Sequence, residues 1–212
     1  ARAVARYYVL LDGRDERFAF VTGYLELYYA SGEGDPRPGT PLSQFRFSED
    51  TNVGLLLFDH VVRYQSARAS RAGVEILRRL GASTYAAERI DTRGAFTGAM
   101  ALFPQMDFRP HEDLLVRGGV MFAWGPEPVI DQVGSLQADD GTEIADDLVN
   151  FVGGKPGDYY GTEVDFRFSW RFMDHFLLDL EAAVFFPGDA LQDENGQAAK
   201  SFLTQARTPF DF

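Results

Sequence analysis

The sequence predicts an all-β chain, a transmembrane antiparallel up-and-down β-barrel, and three observations carry that prediction. Apolar and polar residues alternate with a period of two along several stretches, which puts one kind of side chain on each face of a strand. The connections between these stretches alternate short and long. No run of about 18 apolar residues exists, so a helical crossing is excluded. Mean hydropathy is -0.20 with 45% hydrophobic residues. An alternating membrane strand averages out in any hydropathy window, so these values leave a barrel open.

The elements follow in chain order. Ala1–Leu11 and Arg17–Tyr29 are the first two strands, with weaker alternation. Leu42–Ser48 is a third, and roughly Asn52–Val62 a fourth. In that fourth stretch Leu55-Leu56-Leu57-Phe58 is apolar on both faces, which fits a buried or helical segment as well. Gly94–Arg109 groups Phe96, Met100, Leu102, Met106 and Phe108 on one face. Asp113–Trp124 groups Leu114, Val116, Val120, Phe122 and Trp124, with Arg117 opposite. Gly161–Phe172 has the clearest pattern. Val164, Phe166, Phe168, Trp170 and Phe172 fall on one face, and Glu163, Asp165, Arg167, Ser169 and Arg171 on the other. Phe176–Phe186 repeats it with Asp179 and Glu181 on the polar face, after a tight Met173-Asp174-His175 turn. Ala199–Phe212 is the last strand.

About nine strands therefore form a single domain over residues 1–212, read as the C-terminal part of a larger barrel. Asp12–Glu16, Glu49–Thr51, Pro110–Glu112 and Met173–His175 are the short connections. Ala30–Pro41, Arg63–Arg93, Gly125–Asp158 and Pro187–Ala198 are the long ones. Short periplasmic turns and long outer loops are the pattern of an outer-membrane barrel. Trp170, Phe172 and Phe176 sit at the short-turn end, with Tyr159, Tyr160, Phe185, Phe186 and Trp124 at the other, as two interfacial belts require. The chain closes on Phe210 and Phe212, the form of signal that barrel-assembly machinery reads. The first strand then runs the same way as the last, so further strands are expected before Ala1. The opening Ala1–Arg6 also lacks the apolar core of a signal peptide, which places the start of an exported chain upstream.

Several phrases resemble the alginate-export-like family of outer-membrane barrels. They are Leu25-Glu26-Leu27-Tyr28-Tyr29-Ala30-Ser31-Gly32-Glu33-Gly34-Asp35, Val53-Gly54-Leu55-Leu56-Leu57-Phe58 and Thr92-Arg93-Gly94-Ala95-Phe96. Tyr160-Gly161-Thr162-Glu163-Val164-Asp165 and Phe185-Phe186-Pro187-Gly188 complete the set. The resemblance implies a monomeric, many-stranded, porin-like channel in the bacterial outer membrane. Anionic polysaccharide is a substrate of some family members.

Composition narrows the function further. A net charge of -12 argues against nucleic acid as a partner, and the absence of cysteine excludes disulfides and thiolate metal sites. His60, His111 and His175 stand in no catalytic constellation, and no nucleophile or phosphate-loop motif appears, so no enzyme activity and no cofactor are expected. Asp139, Asp140, Glu143, Asp146 and Asp147 are calcium candidates by their density, although their spacing fits a solvated acidic loop better. Val74–Leu80 has helical spacing and suggests a short amphipathic helix in the second long loop.

Charges facing lipid would each cost roughly 2–4 kcal/mol near the midplane, so the polar faces must line the lumen. They collect Arg2, Arg6, Arg46, Arg109, Arg117, Glu163, Asp165, Arg167, Arg171, Asp179, Glu181 and Arg207, with Glu26 and Asp107. These form either an arginine ring that favours anions or cross-strand ion pairs that hold register. Two functions fit: a pore for diffusion or export of polar solutes, anionic ones or polysaccharide among them, and a docking barrel of an envelope assembly with a plugged lumen. The partners expected are outer-membrane lipid and lipopolysaccharide, the assembly machinery and other envelope proteins.

Overall fold

The computed structural model describes residues 2–11, 19–34, 41, 43–51, 53–130, 133–134, 145–146, 157–172, 176–193 and 195–209. Of 2–11, 19–20, 129–130 and 145–146 it describes the backbone alone. One antiparallel sheet of seven strands dominates. The strands are β1 (Arg2–Leu11), β2 (Ala19–Ala30), β3 (Ala99–His111) and β4 (Leu114–Trp124), then β7 (Tyr159–Phe172), β8 (Phe176–Pro187) and β9 (Ser201–Arg207). A two-residue ribbon, β5 (Val129–Ile130) with β6 (Ala145–Asp146), lies in the connection from β4 to β7. Every strand of the sheet pairs with its sequence neighbour within the sheet, the up-and-down arrangement that alternation implies.

Two expected strands are absent. Over 42–48 the backbone makes a single bridge, Arg46 to Thr97, and residue 42 lies outside the described residues. Over 52–62 the chain turns at Gly54–Leu56 and enters a π-helical turn, Leu57–Val62, which continues directly into α1 (Arg63–Arg79). A stretch apolar on both faces cannot serve a wall that is polar on one side, and burial as a helical turn satisfies both faces at once. Removing these two strands makes the loop pattern stricter. The strand ends at Ala30, Ala99, Trp124, Tyr159, Pro187 and Ser201, which the long connections join, are at one edge of the sheet, and those at Leu11, Ala19, His111, Leu114, Phe172 and Phe176, which the short ones join, are at the other. The expected amphipathic helix forms as α1, with a short α2 (Tyr85–Glu88) after it.

Burial over the sheet is inverted relative to a water-soluble protein. Along β3 exposed and buried residues alternate, with Met106 55% exposed and its neighbour Asp107 1%. On β7 Phe166 is 48% exposed, whereas Glu163 is fully buried. Leu27, Met100, Val164, Trp170, Leu180, Val184, Phe186 and Phe202 complete an exposed apolar face, and Asp179 and Glu181 are buried on the other. Water would favour the opposite arrangement.

What covers the charged face is the chain itself. The 31–98 connection folds back onto it at the long-loop end. Val53, Leu56, Leu57, Phe58, Val62 and Phe96 pack there against Tyr28, Ala30, Ala99, Ala101, Phe103, Met121, Ala123, Ala183 and Phe185. Phe96 sits at the centre, 4.7 Å from the Phe58 ring and within 5.7 Å of Phe47 and Tyr28. A second cluster joins Ala69 and Leu77 of α1, Ala86 and Ala87 of α2, Ile90, and Val133 from the 125–158 connection. Two residues assigned to the aromatic belt, Tyr160 and Phe185, point inward into the plug core, and the Tyr160 hydroxyl donates to the Gly98 carbonyl at 3.0 Å. The rest of the belts stand outward: Trp124 against Tyr159 at 5.5 Å, and Trp170–Phe172–Phe176 in one stack.

Phe96→Ala is expected to loosen the plug while leaving the wall folded, at a cost of roughly 3–5 kcal/mol for a fully buried aromatic. Limited proteolysis should cut within 63–93 at lower urea than in the wild type, with the heat-modifiable barrel band on a gel unchanged.

Candidate functional site

The inner face is built in rows, because cross-strand register places one inward residue of each strand beside the next. One row reads Asp107, Arg117, Arg167, Glu181 and Gln205. Arg117 and Arg167 are directly opposed, a like-charge pair that repels unless each side chain turns away. Each turns to its own acid. Arg117 holds Asp107 in a fork, Nε to Oδ1 at 2.6 Å and Nη2 to Oδ2 at 2.9 Å. The Tyr24 hydroxyl donates to Asp107 Oδ2 at 2.8 Å, and the guanidinium lies over the Tyr24 ring. Arg167 forks Asp179 at 2.8 and 2.6 Å, and the Ser169 hydroxyl donates to Asp179 Oδ1 at 2.6 Å. On β9, Arg207 and Gln205 both donate to Glu181. The Asp107 and Asp179 pairs are bidentate with buried carboxylates, which fixes their geometry more firmly than that of single-contact surface pairs.

Other residues assigned to the lumen lie elsewhere. Arg109 and Arg171 are exposed towards the short-turn end. Arg46 is not on the wall at all: its guanidinium donates to the carbonyls of Asp91 and Thr92, at 3.0 and 3.1 Å, and ties two parts of the plug together. The side chains of Arg2 and Arg6 lie outside the described residues, as do Phe210, Phe212, His175, Asp139, Asp140, Glu143 and Asp147. Asp146 is placed by its backbone alone, in β6. His111, Glu112 and Asp113 come within 4.8 Å of one another at the exposed β3–β4 turn, without further ligands there among the described residues.

Glu163 differs from the other acids of the wall. Its Oε1 accepts the backbone N–H groups of Leu55 at 2.6 Å and Leu56 at 2.8 Å, and its Oε2 accepts that of Leu57 at 2.6 Å. Three amides at the entrance of a helical segment make an anion seat. Gly54, at φ +74, brings the turn in: a Cβ there would lie 2.7 Å from Met121 Cε and 2.9 Å from Glu163 Oε1. Beside it Asp165 is half-buried, and its Oδ1 is buried without a hydrogen-bond partner among the described residues. In the plug, burial pushes the Asp59 carboxyl above its ordinary range, against the pull of His60 and Arg63; the Glu163 charge adds to the rise, so the two acids are within electrostatic reach.

Below this turn a cavity of about 320 Å³ remains, bounded by Gly54 and Leu55 above and by Gln105, Arg117, Asp165, Arg167, Glu181, Gln205 and Arg207 on the wall. Gly119 leaves it open, since a Cβ there would press within 2.6 Å of the Phe103 ring. Alternation alone placed most of these residues on one face. It set Gln105 and Ser169 on that face without a role and missed Tyr24 and Gln205; these neutral groups complete the ion pairs or line the cavity. It also missed the backbone amides of Leu55–Leu57, which no side-chain pattern records.

A family model described as alginate export matches residues 82–205, more than half of the chain. The chain belongs to that family. No curated protein matches it. The matched span of the alginate export family takes in β3 to β8 and most of β9, hence Glu163 and the Arg117–Asp107 and Arg167–Asp179 pairs, while Arg207 and the Gly54–Leu57 turn that Glu163 holds lie outside it.

The buried acids make loss of their cations the more costly change. Arg167→Ala strands the Asp179 carboxylate and is expected to cost about 3 kcal/mol of wall stability, the loss typical of a broken buried pair. Asp179→Ala leaves Arg167, whose side chain is one-third exposed and lies 3.6 Å from Glu181, and should cost less. Urea-induced loss of the folded band measures both, and equal effects would count against Asp179 as the buried anchor.

Proposed function

We propose that the chain forms part of the wall of a closed outer-membrane β-barrel and that this barrel is a channel for polar solutes or polysaccharide, with its lumen plugged by the 31–98 segment in the state described. The inverted burial carries the reading: an exposed face of Phe, Met, Leu, Val and Trp needs an apolar solvent, and a charged face needs an interior. Membership of the alginate export family supports both the outer-membrane location and a transport rather than enzymatic role. Among the described residues β1 pairs with β2 alone and β9 with β8 alone. Open edges in lipid would leave backbone groups unsatisfied, so closure through further strands fits better than an open sheet.

Pairing weakens the anion preference that a free arginine ring would create, because Arg117, Arg167 and Arg207 each face a carboxylate. Selection in the plugged state therefore rests on size and polarity more than on sign. The filled inner face also favours a second reading, a docking barrel within the envelope whose plug never opens.

Two measurements test this. Phe166→Cys should resist a water-soluble maleimide in membranes, whereas Asp165→Cys should react once the plug is removed; strong aqueous labelling at 166 with none at 165 would overturn the orientation. In planar bilayers the intact protein should conduct weakly or intermittently. A form with residues 43–93 replaced by a short glycine–serine linker should conduct steadily. A folded but silent truncated form would favour the docking barrel.

A further inference from the structure

We propose that Glu163 is the latch of a gate: its carboxylate holds the Gly54–Leu57 turn against the wall, and release of that turn opens the path through the cavity beneath. The proposal rests on the channel reading above. Glu163 is fully buried, yet among the described ion pairs it has no cationic partner, unlike Asp107, Asp179 and Glu181. Its charge is instead balanced by three amides that belong to the plug. An acid placed only to stabilise the wall would pair with a cation of the wall, as Asp107, Asp179 and Glu181 do.

The plug side is shaped to match. Gly54 takes a positive φ and brings its backbone to where any Cβ would strike Glu163 or Met121. Such a contact has two satisfied states. Closed, the carboxylate is bound by amides in a dry pocket; open, it is hydrated in a water-filled lumen. A leucine or methionine at 163 would fill the same space but would have no stable open state, because water offers it nothing. Hydrogen bonds to a charged acceptor also fail steeply with distance, so a shift of an ångström or two at this turn releases all three.

The turn roofs the cavity that Arg117, Arg167 and Asp165 line, so its displacement opens that cavity towards the long-loop end without unfolding α1.

The test uses the full-length protein in planar bilayers, with hydrogen exchange at the amides of Leu55, Leu56 and Leu57 as a second readout. Glu163→Gln replaces one acceptor oxygen by an amide group that faces the Leu57 N–H. It should raise open probability at least ten-fold and speed exchange at all three amides, with the folded band on a gel unchanged. Gly54→Ala disturbs the seat from the plug side and should act in the same direction; where Glu163→Gln does not fold, Gly54→Ala decides. Wild-type gating in the folded variants, alongside steady conduction by the truncated form, would overturn the gate alone. Silence of every variant, the truncated form included, would overturn the channel reading and the gate with it.

Discussion

The constraint on which this structure depends is that a strand crossing lipid has one face for charge. Alternation sends every acid and arginine of β3, β4, β7 and β8 to the same side. There Arg109, Arg117, Arg167, Arg171 and Arg207 stand against Glu26, Asp107, Glu163, Asp165, Asp179 and Glu181, so the signs nearly balance. Balance makes pairing feasible, and pairing fixes geometry. The opposed Arg117 and Arg167 are forced apart, and their forks reach one strand in each direction, to Asp107 on β3 and Asp179 on β8. A register slip of one residue would turn these charges to lipid and break both forks.

The plug is held by a different balance of forces. Wall strands are joined by continuous backbone ladders, whereas the 31–98 segment meets the wall through side-chain packing around Phe96 and Leu57 and through a few hydrogen bonds. Those bonds reach across large sequence separations: the Tyr160 hydroxyl to the Gly98 carbonyl and the Leu55–Leu57 amides to Glu163. Few long-range bonds and local packing are the features of a unit that opens at lower free energy than the sheet it rests on.

How much of this was legible depended on which rule governed each segment. The β7–β8 hairpin was read almost to the residue, Gly161–Phe172 against Tyr159–Phe172, because a strand between lipid and lumen must alternate and little else acts on it. The 42–62 stretch was misread because its described residues pack over the charged side of the sheet instead of joining the strand ladder. Phe45 and Phe47 alternate with Arg46 as a strand would, yet Phe47 packs on Phe96 and Arg46 ties loop carbonyls. The doubly apolar Leu55–Phe58 did carry the signal of burial, and a helical turn was the way to satisfy it. Glu163 was placed on the inner face correctly by period. Its partners were invisible, since backbone amides more than a hundred residues away leave no mark in side-chain chemistry.

The same inventory limits how the plug moves. Complete withdrawal would expose Leu57, Phe58, Val62 and Phe96 together with Met121, Tyr160 and Phe185 of the wall, all nearly free of solvent contact. At roughly 1.5–3 kcal/mol for each large apolar side chain, that is comparable to the stability of a whole domain. Expulsion is therefore a costly working cycle. The Gly54–Leu57 turn borders the polar cavity through Gly54 and Leu55 and joins the packed cluster through Leu56 and Leu57, while the Glu163 carboxylate holds its three amides. Moving this turn alone trades amide contacts for hydration and disturbs only Leu56 and Leu57 of the cluster, leaving Phe58, Val62 and Phe96 packed. The cheapest opening motion is thus a local one, at the acid, and the aromatic core of the plug is the fixed support about which it turns.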